Sequence, residues 1–178
     1  MEHTAAILLR RIPWSETSLI VTWLTESLGT VKTSVRGARG AKSAYAGKLD
    51  LFFRAQISFT ASGKSDLHGL REVFIEQAFD ASQAGTAGVY LAAYFSELAG
   101  AAAPAMEPAP EIFDLLRRGL GHLQRGGANI KALQHFEKQL CQILGVDDPS
   151  GGVSATDAIA SLYGQALASR QAALRFLK

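Results

Sequence analysis

The chain has 178 residues, 48% hydrophobic and 19% charged, enough to bury an ordinary core in one large domain or two small ones. No apolar run approaches the ~18 residues of a membrane-spanning helix, no signal-peptide pattern opens the chain, and the single cysteine, Cys141, excludes an intrachain disulfide or a multi-cysteine metal site. The net charge of +2 is unevenly spread: residues 1–75 hold ten Lys/Arg against six Asp/Glu, and residues 76–178 hold eight against ten, so one end is suited to an acidic partner.

Residues 5–12 form an apolar run that ends in Arg10 and Arg11 and is stopped by Pro13. Residues 19–24 (LIVTWL) are rich in β-branched and aromatic side chains. Residues 30–36 alternate, with Val31, Thr33 and Val35 on one face and Lys32, Ser34 and Arg36 on the other. Residues 49–60 make a longer run in which Phe53, Ala55, Ile57 and Phe59 share a face. After a turn at residues 61–64, residues 70–78 return as a fifth strand. Five short strands separated by turns predict a small antiparallel barrel over residues 1–80.

The period becomes helical after Phe79. Residues 89–103 read as an Ala-rich helix with Leu91, Phe95 and Leu98 on one face, and residues 104–110, with three prolines, read as a linker. Ile112, Leu115, Leu116, Leu120 and Leu123 mark a second helix. Ile130, Leu133, Phe136, Leu140 and Leu144 mark a third, ending at Gly145. After a loop at residues 147–152, Thr156 is placed to cap a fourth helix, and residues 165–177 read as the last. The expected fold is therefore α+β, a barrel followed by an all-α domain over residues 81–178.

The first functional signal lies between Glu26 and Asp50, where there is no acid and five bases: Lys32, Arg36, Arg39, Lys42 and Lys48. The strand over residues 30–36 keeps its bases on the polar face and runs into a loop whose Gly37 and Gly40 let the backbone approach a partner. Cations and amides on such a loop suit phosphate oxygens. Tyr45, Phe52 and Phe53 are close in sequence; they would stack an unpaired base or serve the core, and the strand period already accounts for Phe53 and Phe59 as core. From the residues alone, the chain is expected to hold single-stranded nucleic acid without reacting on it.

Other motifs fall short. Gly63-Lys64-Ser65 lacks the earlier glycine of a phosphate-binding loop, since Ser58 stands there, and no helix follows. Gly37-Ala38-Arg39-Gly40 matches the GxxG of KH domains, but a strand rather than a helix precedes it. Cys141 lies among apolar helix positions, the four histidines are scattered, and Asp147-Asp148 is one acidic pair in a turn. No cofactor or metal is expected.

In order and spacing, these segments resemble the RecO family of DNA repair and recombination mediators. The pieces are Ala6-Ile7-Leu8-Leu9-Arg10-Arg11, Glu16-Thr17-Ser18-Leu19-Ile20-Val21, Gly29-Thr30-Val31, and Val35-Arg36-Gly37-Ala38-Arg39 with Lys42-Ser43. Leu70-Arg71-Glu72, Tyr94-Phe95-Ser96-Glu97-Leu98, Ile112-Phe113-Asp114-Leu115-Leu116 and Phe136-Glu137 with Leu140 and Leu144-Gly145 continue the match. The resemblance implies an OB-fold followed by a helical domain, no enzymatic activity, and a bacterial cytoplasmic, nucleoid-associated setting. It implies binding to single- and double-stranded DNA, annealing of complementary strands, and loading of RecA with RecR and the single-stranded DNA-binding protein as partners. Phosphate binding then falls on Arg36, Arg39 and Lys42, with Lys32 and Lys48 as neighbours. Many members carry a four-cysteine zinc site where this chain has Ala155 and Ala158, so no zinc is expected. The chain also ends at Lys178, shorter than is usual for the family, so the loop is expected to carry more of the binding. The alternative is an adaptor whose barrel mainly docks proteins.

Overall fold

Side-chain alternation sets the strands. In β3 (Gly29–Val35) the residues at alternate positions, Gly29, Val31, Thr33 and Val35, are buried and Lys32 is exposed. β1 (Glu2–Pro13), β2 (Leu19–Thr25), β4 (Arg54–Thr60) and β5 (Leu67–Gln77) complete a closed barrel in the order β1-β2-β3-β5-β4, an OB-fold. The computed structural model describes residues 1–40, 42–164 and 167–177. Four of the five pairings are antiparallel; β3 and β5 pair in parallel, which a purely antiparallel barrel does not anticipate.

The barrel core gathers Ala6, Leu8, Val21, Trp23, Val31, Val35 and residues of β4 and β5. Trp23 is fully buried, and its indole N–H donates to the Thr33 hydroxyl at 2.9 Å, so its one polar atom has a partner. The run over residues 49–60 is only half a strand. Residues 49–53 form a loop in which Phe52 has φ +67°, and Leu8 ties it down by accepting from the Phe52 amide (2.8 Å) and donating to the Phe53 carbonyl (3.0 Å). These residues are apolar because Leu49 and Phe52 are buried, not because they join a ladder.

The chain divides into two compact units: Met1–Phe79 with Ala103–Phe113, and Asp80–Ala102 with Asp114–Lys178. The proline-rich stretch expected as a linker is thus part of the first unit. The Thr30 amide donates to the Pro104 carbonyl at 2.8 Å, and the Met106 amide donates to the Thr30 carbonyl at 3.2 Å. Gly29, at φ +56°, allows this approach, since a Cβ there would lie 2.1 Å from the Pro104 carbonyl oxygen.

The helices are α1 (Ala81–Ala102), α2 (Pro110–Gln124), α3 (Ile130–Leu144), α4 (Ala155–Leu162) and α5 (Leu167–Leu174). α1 starts eight residues earlier than its apolar stripe predicts and is interrupted at Gly85. α3 has the expected bounds: the Asn129 side chain accepts from the Ala132 amide, and left-handed Gly145 ends it. Ser154, not Thr156, caps α4. The expected start of the last helix at residues 165–166 lies outside the described residues.

Within the second unit, Glu137 on α3 is 1% exposed yet fully partnered. It accepts from the Tyr94 hydroxyl at 2.7 Å and the Thr156 hydroxyl at 2.9 Å, and it pairs with the Arg170 guanidinium at 2.6 Å. Burial, then the bond to Glu137, pushes the Tyr94 phenol well up, so it stays a donor. One carboxylate therefore ties α1, α4 and α5 to α3. Glu137→Ala leaves the Arg170 charge largely buried without its partner, and we expect a loss of about 3–5 kcal/mol of stability by urea denaturation.

Candidate nucleic-acid interface

The outer face of β1, β2 and β3 is read from register. Arg10 pairs with Thr22, which pairs with Lys32; Ile12 pairs with Ile20, which pairs with Ser34. Arg10, exposed, thereby joins Lys32 on one face although 22 positions separate them. Lys32 is not a free cation. Parallel pairing sets Leu67 beside it, and the preceding Asp66 takes its ammonium at 3.1 Å. The Lys32 ammonium, chiefly through that hydrogen bond, holds the Asp66 carboxyl below its ordinary value. The acid-free stretch of sequence is therefore not acid-free in space.

After β3 the chain turns at Gly37 (φ +69°) and descends through short-range bonds, Ser43 N–H to the Gly40 carbonyl, Ala46 to Ser43 and Lys48 to Tyr45, each 3.0–3.1 Å. Arg36 and Lys42 are exposed, with no side-chain hydrogen bond or ion pair among the described residues. Lys48 is half-buried. Arg39 is exposed but anchored: its amide donates to the Thr17 carbonyl at 3.0 Å and its Nη1 to the Ser15 carbonyl at 2.8 Å. A guanidinium has five N–H donors, so Arg39 can brace the β1–β2 turn and still offer an outward edge. At the loop's far end Arg11 bonds the Leu49 carbonyl and pairs with Asp50 at 3.1 Å.

Of the aromatics nearest in sequence, Phe53 lies before β4 and is half-buried rather than in the core, and the other two are engaged elsewhere. Phe52 is buried edge-to-face on Phe79, with ring centres 5.3 Å apart, and the Tyr45 hydroxyl donates to the Arg71 carbonyl at 3.0 Å. The exposed ring in this region is one that chain proximity does not point to, Trp14 in the β1–β2 turn, 65% exposed. Trp14, Thr17, Ser34, Arg36 and Leu67 line a hollow of about 400 Å³. The signal for Trp14 is a large aromatic just after Pro13, where β1 stops and the alternation of the strand no longer assigns it a buried face.

In the second unit, Arg117 and Arg118 both pair with Asp114, at 2.6 and 2.7 Å, and hold its carboxyl down. A cavity of about 600 Å³ has the stacked rings of Phe95 and Phe136 (3.9 Å apart) in its wall and Arg118, His122, Lys131 and His135 around it. Cys141 is buried and donates to the Ala155 carbonyl; burial, then the charges of Asp147 and Glu137, pushes its thiol up, away from a reactive thiolate. Among the described residues no three His, Cys, Asp or Glu side chains converge to hold a metal, and no helix is long and apolar enough to cross a membrane.

Residues 1–79 match the family described as Recombination protein O N terminal, and residues 87–147 match Recombination protein O C terminal. The chain is 31% identical over 140 residues to the DNA repair protein RecO of Rhodopirellula baltica, 79% of this chain and 52% of that protein. It is 32% identical over 131 residues to RecO of Anaeromyxobacter dehalogenans, 74% and 52% of the two chains, and 34% identical over 146 residues to RecO of Xanthomonas campestris, 82% and 59%. The chain spans about half the length of the curated relatives it matches.

Proposed function

The chain belongs to the RecO family of DNA repair proteins, and on that premise we propose that it is a non-catalytic recombination mediator that grips DNA phosphates with Arg36, Arg39 and Lys42. The observation that carries this reading is the pair of exposed cations Arg36 and Lys42, without a side-chain partner among the described residues, on a loop held to the barrel by Arg39. Phosphate contacts of this kind position a strand without reading its sequence. That suits a protein that pairs complementary strands of any sequence. Arg10 extends the track across the sheet, whereas Lys32 contributes only when its bond to Asp66 opens. The action proposed is annealing of complementary strands and assistance to RecA loading in place of single-stranded DNA-binding protein.

A second reading, docking of protein partners, is favoured by the Phe95–Phe136 cavity. An apolar wall with Lys131 at its rim, and Arg118 beside it on Asp114, suits an acidic peptide with an apolar end. RecR and the single-stranded DNA-binding protein are the partners proposed, the cavity serving an acidic tail.

Binding of a fluorescent single-stranded oligonucleotide should weaken steeply with salt. Changing Arg36, Arg39 and Lys42 together to Ala should flatten the log–log slope by about 2 units, since each phosphate contact contributes ~0.7 for single strands. Unchanged affinity and slope would remove the loop from the interface. Asp66→Asn should act oppositely, freeing Lys32 and steepening the slope by up to about 0.7 in the same titration. Lys131→Glu should abolish capture of an acidic C-terminal peptide, read by fluorescence anisotropy, while oligonucleotide affinity stays within twofold of the wild type.

A further inference from the structure

We infer that the hollow between the β1–β2 turn and the start of the loop after β3 is a binding site for an unpaired nucleobase, which stacks on Trp14 while Arg36 holds the adjoining phosphate. The inference rests on the DNA-binding reading and adds to it what the cations alone do not supply, selection of single strands over duplex.

Trp14 forfeits the hydrophobic free energy that burial would return, and no other ring covers it among the described residues. Its backbone, by contrast, is firmly held. The Trp14 and Ser15 amides donate to the Ser18 carbonyl at 3.0 and 3.4 Å, and the Ser15 hydroxyl accepts from the amides of Thr17 and Ser18. Arg39 ties the same turn from the other side through the carbonyls of Ser15 and Thr17. A braced turn fixes where the indole is attached, so a ring that settles on it need order only the Trp14 side chain and not the backbone.

The remaining lining suits a base rather than another apolar group. Leu67 supplies a second apolar surface, Thr17 supplies a hydroxyl, and Ser34, whose hydroxyl donates to the His68 carbonyl at 3.2 Å, still offers an acceptor to a base edge. Arg36 brings to the same hollow a cation with no carboxylate partner among the described residues. At about 400 Å³ the hollow is within the range of ~300–1,000 Å³ usual for small-ligand sites. In a duplex, stacked neighbours cover both faces of every internal base, so only an unpaired base offers a face to the indole.

The chain reports on this site by itself, because its other tryptophan, Trp23, is fully buried. Oligothymidine should quench the wild-type emission, and Trp14→Phe, which leaves only Trp23, should abolish the quench. Trp14→Ala should lower oligothymidine affinity by about tenfold, as loss of a stacked base does, with affinity for a blunt duplex unchanged within twofold. Trp14→Phe, keeping a flat ring, should restore part of the loss. Unshifted Trp23 emission in both variants shows that the barrel is intact. Oligothymidine binding without a quench, or an equal loss for both probes in Trp14→Ala, would overturn the base site and leave the phosphate track standing. Failure of the wild type to bind either probe would bring down both.

Discussion

The barrel closes through a short parallel seam between β3 and β5, three residue pairs long: Lys32 with Leu67, Thr33 with His68, and Ser34 with Gly69. Parallel neighbours cannot be joined by a tight turn, so the chain between them must make a long crossover. Here it runs across the basic loop and β4 before returning. The crossover sends Leu49 and Phe52 inward to the core and leaves Arg36, Arg39 and Lys42 outside. The same seam delivers Asp66 to Lys32 and Leu67 to the hollow beside Arg36. The makeup of the candidate interface is thus a product of how the barrel is shut.

Much of the fold was legible because burial leaves a period. Val31, Thr33 and Val35 alternate and form a strand; Ile130, Leu133, Phe136 and Leu140 recur at helical spacing and form α3 with the expected ends. Where burial and regular structure part company, the reading failed. Residues 49–53 are as apolar as a strand, but they pack as a loop with Phe52 at positive φ. Residues 81–88 carry no apolar stripe, only small and polar side chains, and yet begin α1. Proline density suggested a free tether at residues 104–110, because a missing amide says nothing about what the neighbouring carbonyl accepts.

The interface was half legible for a related reason. Charge runs are visible along a chain, so the five bases of residues 32–48 stand out in the sequence, and of these Arg36, Arg39 and Lys42 are exposed beyond the strand. Register is not visible, so neither the acid beside Lys32 nor the place of Arg10 on the same face can be read from the sequence. Nearness along the chain points to Tyr45, Phe52 and Phe53, while the exposed ring, Trp14, sits in the β1–β2 turn that Arg39 bonds through the carbonyls of Ser15 and Thr17.

The bonds from Thr30 to Pro104 and Met106 also impose an order on folding as the chain is made. The first unit is discontinuous: it takes in residues 103–113 after a 23-residue excursion into α1. A nascent chain that has exposed all five strands still leaves the Thr30 amide and carbonyl to water. Those groups find their partners only when the segment beyond α1 leaves the ribosome. The barrel is therefore finished by residues translated after it, and its completion is coupled in time to the start of the helical unit.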